Sequence, residues 1–465
     1  MNSDHYQTSH DGETKEQEFY NLITQKYSVS KALQTLDSID WDFSGFTTQY
    51  LTHRFHSYPA RFIPQIPFSF LNLFTKKGDT ILDPMCGCGT TLVEAFLNGR
   101  DSIGNDVNPL ATLITKTKVT LIPDKELAFF QRRLARMDKS PDLDDAIIEE
   151  RLSNLPNRKL SSLFDKTVIA KLESIRETLL ELKSDHQDIF DLGRVALSST
   201  IWSVVENGDG IEVDALFMKK TDAMCLHLKQ MTRKVKDPPD VTVQKGDARR
   251  LNLDDGTIDL IVTSPPYVNA LDYYRIHMYN MLWLGMDFDL FKKHEIGVHS
   301  RFIFNRFRLL SEYLGDMLRS MMEMNRVMKS GGICAIVIGN SSLEYELIES
   351  HKYFASMAEK IGFTTKKNIF RNIDTARKYK STGIGLIDDE YIIVLQKTDE
   401  CSYSSLDDDF VSDVVEAEMK PFEKQINKIQ GTSIRWRKPS KERLKQNIER
   451  IADAIEHIPQ DIRFK

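Results

Sequence analysis

Three short segments of the chain combine residue types that could bind and activate a small molecule. The first reads Asp83-Pro84-Met85-Cys86-Gly87-Cys88-Gly89-Thr90-Thr91, between a strand-like run and a helix-like run. Its glycines let the backbone approach a ligand closely, and the following helix offers free N–H groups. The lysine of a phosphate-binding loop is missing, and Leu92 replaces the third glycine of a dinucleotide fingerprint. By itself this pattern is equally typical of a plain tight turn.

Two carboxylates and one hydroxyl follow later strands. Asp106 ends the run DSIGND, Asp247 ends VTVQKGD, and Ser264 ends a further buried-looking run. Ligands of open α/β sheets bind outside the carboxyl ends of the strands, where an acidic side chain can accept both hydroxyls of a ribose. We therefore expect these residues to line one crevice with the glycine loop. Either carboxylate alone could be an ordinary solvated loop residue.

The most specific segment is Thr263-Ser264-Pro265-Pro266-Tyr267. Consecutive prolines keep the backbone extended and remove two N–H donors, which leaves nearby carbonyls free to accept hydrogen bonds. Ser264 adds an acceptor and Tyr267 a flat face for stacking. Together they could hold a planar ring that carries an amine. A simple strand terminator is the alternative.

The elements that must position these residues alternate between strand and helix. We predict strands at 79–82, 101–106, 241–247, 258–267, 331–340, 365–370 and 390–396, and helices that include 307–328 and 351–361. This order predicts an α/β fold with a doubly wound sheet. Residues 119–240 break the alternation with charged, helix-periodic sequence, which indicates a large helical insertion.

Composition restricts the class of protein. The 465 residues are 41% hydrophobic and 28% charged, and the net charge is −6, so a polyanion partner would need a local basic patch. No apolar run approaches the roughly 18 residues of a membrane span, and the polar start lacks an export pattern, so we expect a cytoplasmic protein without membrane contact. Cys86 and Cys88 have no second ligand pair at zinc spacing, so we expect no metal.

Taken together, the segments DPMCGCGTT, GND, GDA and TSPPY, with HSYPARFIPQIP at 56–67, resemble the motifs of the S-adenosylmethionine-dependent amino-methyltransferases of DNA. The resemblance covers 51–118 and 241–398. It implies a Rossmann-like class I methyltransferase sheet with S-adenosyl-L-methionine as cofactor. The predicted parts are then an N-terminal polar and helical segment (1–50), two methyltransferase parts (51–118 and 241–398), the helical insertion (119–240) and a charged C-terminal tail (399–465).

The same resemblance implies roles for individual residues. Asp83, Gly87 and Gly89 would hold the methionine part of the cofactor, Asp106 the ribose and Asp247 the adenine amine. The other cofactor-binding residues would be Tyr58, Pro59, Pro84 and Thr90. The target base would be held by Ser264, Pro265, Pro266 and Tyr267.

In this family a serine at the position of Ser264 accompanies N4 of cytosine more often than N6 of adenine. We therefore expect an N4-cytosine enzyme acting on a base flipped out of double-stranded DNA, with a separate restriction endonuclease as a possible partner. N6-adenine, an RNA guanosine-N2 enzyme and a non-catalytic DNA-binding module remain alternatives. Methylation at C5 is excluded, because the chain has no Pro-Cys dipeptide to supply the nucleophile.

The DNA-recognition region does not carry over from the family, because the insertion falls between the second and third motifs. The insertion is the first candidate, and the basic tail around Trp436 is the second. The aromatic segment 269–285 has two interpretations. It could be a base-facing loop in which Arg275 and His277 reach phosphates, or a helix that buries Tyr279, Leu282 and Trp283.

Overall fold

A computed structural model describes residues 10–137, 145–153, 164–208, 210–269, 271–298, 302, 304–344, 346–373, 389–428 and 441–458. The strands are β1 (Thr80–Asp83), β2 (Asp101–Asp106), β3 (Val241–Lys245), β4 (Ile258–Thr263), β5 (Met328–Ile338), β6 (Ser341–Leu343), β7 (Glu346–Ile348), β8 (Phe363–Asn372) and β9 (Asp389–Lys397). All except the β6–β7 hairpin form one seven-stranded sheet in the order β3-β2-β1-β4-β5-β9-β8.

The sheet reverses its strand order at β1, which lies between β2 and β4. The pairs β1–β2, β2–β3, β1–β4 and β4–β5 are parallel, whereas β9 runs antiparallel to both β5 and β8. Such a reversal opens a crevice at the carboxyl ends of the central strands, where ligands bind. The predicted doubly wound, Rossmann-like α/β class is confirmed.

Helices cover both faces of this sheet and also form the insertion. Their bounds are α1 (His10–Ile23), α2 (Val29–Thr35), α3 (Gln65–Phe74), α4 (Thr90–Leu97), α5 (Pro109–Val119), α6 (Asp124–Leu134), α7 (Asp145–Ser153), α8 (Lys166–Leu180), α9 (Gln187–Asn207), α10 (Val213–Lys234), α11 (Tyr273–Trp283), α12 (Phe288–His294), α13 (Arg306–Val327), α14 (Ser350–Lys360), α15 (Asp408–Lys428) and α16 (Lys441–Glu456). Short 3-10 turns lie at Leu36–Ser38 and Leu51–Arg54.

The central strands are apolar on both faces because each face is covered. Alternate side chains of β4 point to opposite layers: Leu260 and Val262 pack with α1 to α3, and Ile261 packs with α13 and α14. This is the near-continuous apolar sequence expected of a buried parallel strand.

The insertion is helical, as predicted, and its helices α6 to α10 share one apolar cluster with α5 and α11. Tyr279 and Trp283 of α11 are buried in that cluster, so 273–283 is a packing helix rather than a base-facing loop. His277 is fully buried and cannot reach a phosphate, which corrects the first interpretation of this segment. Arg275 is mostly exposed, and its Nε lies 3.4 Å from Asp272 Oδ2.

Both ends of the described chain pack against the sheet domain. In the tail, α15 and α16 bury Val411, Val415, Met419 and Ile451 in the same cluster as α13. Trp436 lies outside the described residues. Near the start, the Trp41 carbonyl accepts a hydrogen bond from Arg371 Nε (2.9 Å), and Asp37 pairs with Lys367 (2.6 Å), so the N-terminal segment is fastened to β8.

Candidate active site

An open cavity lies at the carboxyl ends of β1 to β4, and its empty space of about 800 Å³ includes space open to solvent. This is the place expected for a small-molecule site in a sheet of this topology. Eight of the residues predicted from the sequence line it: Tyr58, Pro84, Gly87, Thr90, Asp106, Asp247, Ser264 and Pro266. Pro59, Asp83, Gly89, Pro265 and Tyr267 are adjacent in sequence to those residues but do not form the cavity wall.

The glycine loop connects β1 to α4 and places its two glycines in different surroundings. Gly87 has φ of +49° and faces the cavity, where a Cβ atom would meet the Tyr58 ring at 3.5 Å. Gly89 has φ of +78°, and a Cβ there would lie 2.6 Å from Cγ2 of Thr115. The sequence predicted a cofactor contact for both glycines. The structure gives Gly89 a packing reason of its own, because it lets α4 approach α5.

Asp106 links β2 to the glycine loop. Its Oδ2 accepts the Gly87 N–H at 2.8 Å, and its Oδ1 accepts the Asn108 N–H at 2.9 Å. Burial raises the pKa of Asp106 to about 6, although these two hydrogen bonds offset part of the effect. The carboxylate therefore fixes the shape of the loop and still presents oxygen atoms to the cavity.

Asp83 lies one layer deeper, at the end of β1. Its Oδ1 accepts hydrogen bonds from Thr263 Oγ1 (2.7 Å) and from the Met85 N–H (3.3 Å). Burial raises the pKa of Asp83 to about 7, against the lowering effect of these donors. Asp83 thus joins the glycine loop to the end of β4, immediately before Ser264.

Asp247, in the loop after β3, is held by its neighbour Arg249. Arg249 Nε and Nη2 donate to the two carboxylate oxygens at 2.9 and 2.7 Å, and the Arg249 backbone N–H donates to Oδ1 at 2.9 Å. The Asp247 side chain remains partly exposed to the cavity. The sequence prediction named the carboxylate but not this arginine.

The Ser-Pro-Pro-Tyr segment leaves β4 along the cavity rim. Ser264 and Pro266 line the cavity, whereas Pro265 is buried. The Pro266 carbonyl accepts a hydrogen bond from Tyr313 Oη at 3.0 Å, so it is not free as the sequence suggested. Tyr267 is half-buried, packs against the α13 layer and donates its hydroxyl to Glu390 Oε1 at 3.0 Å. Its predicted stacking on a base stays a prediction.

Apart from Tyr273, which lies in the aromatic segment 269–285, sequence reasoning did not identify one wall of the cavity. Tyr273, Phe291, His294, Glu295 and Ile296 come from α11, α12 and the turn after it. The Tyr273 ring stacks beside Tyr58 at 5.9 Å, and Glu295 accepts the Tyr273 N–H at 2.6 Å. The sequence did contain a signal for the start of α11, because Asp272 precedes an aromatic run and acidic residues are common helix N-caps. That signal indicates a helix and not its place beside the cavity.

The lining residues fit S-adenosylmethionine by chemical type. The ligand carries hydroxyls, amines and a sulfonium cation, and the cavity supplies carboxylate acceptors at Asp106 and Asp247, the Tyr58 ring and an approachable backbone at Gly87. Within the described residues, no group of three or more His, Cys, Asp or Glu side chains could hold a metal ion. Among the same residues, no helix is both long and apolar enough to cross a bilayer.

The chain is similar in sequence to several known methyltransferases. A type II methyltransferase of Kocuria varians, M.MvaI, is 26% identical over 279 residues, which are 53% of this chain and 60% of its own. M.MjaII, a type II methyltransferase of Methanocaldococcus jannaschii, is 32% identical over 158 residues (31% and 30%). A tRNA (guanine(10)-N2)-dimethyltransferase of the same organism is 28% identical over 176 residues (36% and 45%). The chain spans between 30% and 60% of the length of these relatives.

The model of one protein family covers most of the sheet domain. The N6/N4 DNA methylase family matches residues 2–116 and 258–455, and the unmatched interval holds the helical insertion and β3. Membership in this family supports S-adenosylmethionine as the cofactor. With more than half of its residues matched, the chain belongs to the N6/N4 DNA methylase family.

Proposed function

We propose that this protein transfers a methyl group from S-adenosylmethionine to an exocyclic amine of a base in double-stranded DNA, and that the amine is N4 of cytosine. One observation carries the proposal. Ser264, the residue predicted to hold the target amine, lines the same cavity as Gly87, Asp106 and Asp247, the residues predicted to hold the cofactor. A methyl donor and an amine bound at these two places would lie next to each other.

The chain's own residues would act by orientation and by placed dipoles. An exocyclic amine is a weak nucleophile because its lone pair is delocalised into the ring. Hydrogen bonds from its N–H groups to Ser264 Oγ and the Pro265 carbonyl would localise the pair and aim it at the methyl group that the bound cofactor supplies. No covalent link to the protein is needed.

The base must leave the duplex to reach this cavity, which costs a few kcal/mol. Stacking on an aromatic ring contributes about 1–3 kcal/mol per base and would offset part of that cost. Tyr267 is the proposed stacking partner. Its hydroxyl bond to Glu390 holds the ring at the end of β4.

The preference for N4 of cytosine depends on the serine at position 264. N6-adenine uses the same geometry and is the nearest alternative. A second candidate, methylation of guanosine N2 in RNA, has one specific observation in its favour, which is the similarity to a tRNA guanine-N2 methyltransferase over 36% of the chain.

The insertion is our proposed DNA-reading region, in a restriction–modification context with a separate endonuclease. The position of the insertion supports the DNA-reading role. Its helices α9 and α10 belong to the cluster that buries α11, and the first residue of α11, Tyr273, lines the cavity. The restriction–modification context is suggested by the relatives that are named type II methyltransferases.

The test is direct. The protein and its Ser264→Ala variant are expressed in cells that lack DNA methylation, and the DNA is digested to nucleosides for mass spectrometry. We expect N4-methylcytosine with the wild-type protein and its near-complete loss with Ser264→Ala. N6-methyladenine would keep the reaction and overturn the base choice. N2-methylguanosine in RNA with unmodified DNA would favour the second candidate.

A further inference from the structure

Arg249 joins three separate parts of the fold behind the cofactor cavity. Its guanidinium donates to Asp247 through Nε and Nη2, to Asp316 Oδ1 of α13 at 2.6 Å, and to the His294 carbonyl at 3.2 Å. The side chain is only 5% exposed. Asp247 and His294 both line the cavity, whereas Arg249 and Asp316 lie behind it. One buried cation therefore fixes two cavity walls relative to α13.

The hydrogen bonds limit what Asp247 can still accept. A carboxylate offers about four lone-pair positions on its two oxygens. Oδ1 accepts both the backbone N–H and Nε of Arg249, and Oδ2 accepts Nη2. About one acceptor position then remains, on Oδ2, which suits one N–H of an amine better than a carbonyl oxygen.

We propose that Arg249 is a positioning residue for the adenine end of the cofactor site. By forking onto Asp247 and anchoring itself on Asp316, it turns the remaining acceptor of Asp247 toward the cavity and keeps the wall at His294 in place. It thereby makes the site select a purine that carries a 6-amino group. This inference rests on the proposed function, because it assigns adenine to the end of the cavity at Asp247.

Charge supports the same arrangement. Two carboxylates surround one guanidinium, and a third titratable group, His294, places Nδ1 3.9 Å from Asp247 Oδ2. A lysine at 249 would keep one positive charge, but its single ammonium cannot reproduce the planar fork that binds both oxygens of Asp247. Arg249→Lys therefore removes the two-pronged hydrogen bonding to Asp247 and keeps the positive charge.

Arg326 offers a matched control. It also ties the loop after β3 to α13, through the Leu251 and Leu253 carbonyls and Glu323. It does not line the cavity or contact a residue that does. Arg326→Lys should therefore cost stability in the way Arg249→Lys does, without changing the cavity.

The test measures by calorimetry the binding of the reaction product S-adenosylhomocysteine and of its analogue S-inosylhomocysteine, which differ at position 6 of the purine. For the wild type we expect roughly a 10- to 100-fold preference for the amine, the range given by one hydrogen bond to a charged group. Arg249→Lys should weaken the binding of S-adenosylhomocysteine about tenfold and reduce the preference for it over S-inosylhomocysteine to a few-fold, because the hydrogen bond from the 6-amino group is lost. Asp316→Asn should also lower the affinity for S-adenosylhomocysteine and the preference for it, and Arg326→Lys should change neither the affinity nor the preference.

An unchanged preference in both Arg249→Lys and Asp316→Asn would overturn the inference, as would a wild type without any preference. A purely structural role would lower stability and leave the ratio of the two affinities intact. Should Arg249→Lys fail to fold, Asp316→Asn decides the question. A wild type that prefers the amine but methylates neither DNA nor RNA would refute the proposed function while leaving Arg249 in this role.

Discussion

The two glycines of the first motif differ in what a methyl group would meet. Gly89→Ala would place Cβ against Thr115 in a left-handed backbone conformation. We expect a loss of about 1–3 kcal/mol in the free energy of unfolding, from overpacking and backbone strain together. Urea denaturation measures it.

Gly87→Ala is the comparison for that experiment. Its Cβ would be in ordinary contact with the Tyr58 ring, so stability should fall less and cofactor affinity should fall more. Equal stability losses for the two variants would contradict the different surroundings that the structure gives them.

The Tyr267 side chain carries two separable features, its ring and its hydroxyl. Tyr267→Ala should lower methyl transfer by roughly 10- to 100-fold, since base stacking contributes about 1–3 kcal/mol. Tyr267→Phe loses the bond to Glu390 but keeps the ring, and Glu390 stays paired with Arg371, so most activity should remain. The measurements are single-turnover rate and cofactor Kd, and a parallel fall in cofactor affinity would argue against stacking.

Asp106 should make cofactor binding depend on pH. Burial holds its pKa near 6, above the ordinary aspartate value of 3.8. In the free protein this group's contribution to stability is present below about pH 4 and is lost as the pH rises through about 6, because ionising the buried group costs free energy. The cofactor hydroxyls favour the ionised form, so affinity should fall as the pH drops from about 7 to 5.

Calorimetry over that pH range checks the expectation. Asp106→Asn removes this titrating group and should leave weaker binding with a smaller pH dependence, the remainder coming from Asp83, whose pKa of about 7 lies in the same range. A wild-type profile that is already flat would exclude Asp106 as the acceptor of the cofactor hydroxyls.

At the scale of elements, α15 shows how a charged sequence can hide a packing helix. Val411, Val415, Met419 and Phe422 recur at helical spacing and are buried, between the acidic residues that dominate the composition of the segment. The acidic count was the stronger signal in the sequence, although this apolar stripe was present in it.

Val415→Asp tests that packing. A buried charge without a partner should cost about 3–5 kcal/mol of stability. Ala417→Asp introduces an aspartate two positions further along, on the exposed side of α15, and should cost little stability. Thermal denaturation compares the two, and similar melting temperatures would mean that α15 does not hold the domain together.

Most of the sheet could be predicted because its signals are local. The run from 101 to 106 predicted both ends of β2 correctly, since Gly99 ends the preceding helix and Pro109 starts the next one. β5 was less exact: it begins at Met328, three residues before the predicted start, because Met328 pairs with Ile258 in a register that only the neighbouring strand determines. Local sequence places a strand but does not place its partner.

The candidate site was predictable in part for the same reason. Gly87, Asp106 and Ser264 each follow a strand, and parallel strands bring their ends together. Arg249 was missed because two of its three partners, His294 and Asp316, lie 45 and 67 residues further along the chain. Nothing near Arg249 in the sequence distinguishes it from a surface arginine.

Across the whole molecule, the contacts between the N-terminal segment and β8 join residues 330 positions apart. A ribosome adding roughly 5–20 residues per second needs about 20 seconds to a minute to cover that distance. Trp41 is therefore made long before Arg371, and its carbonyl can reach its native partner only after β8 has been made. Until β8 and β9 have been made, α1 to α3 lack part of the sheet that they cover. Because the sheet that α1 to α3 cover includes β8 and β9, this layer closes only after those two strands have been made, and α15 and α16 follow later still.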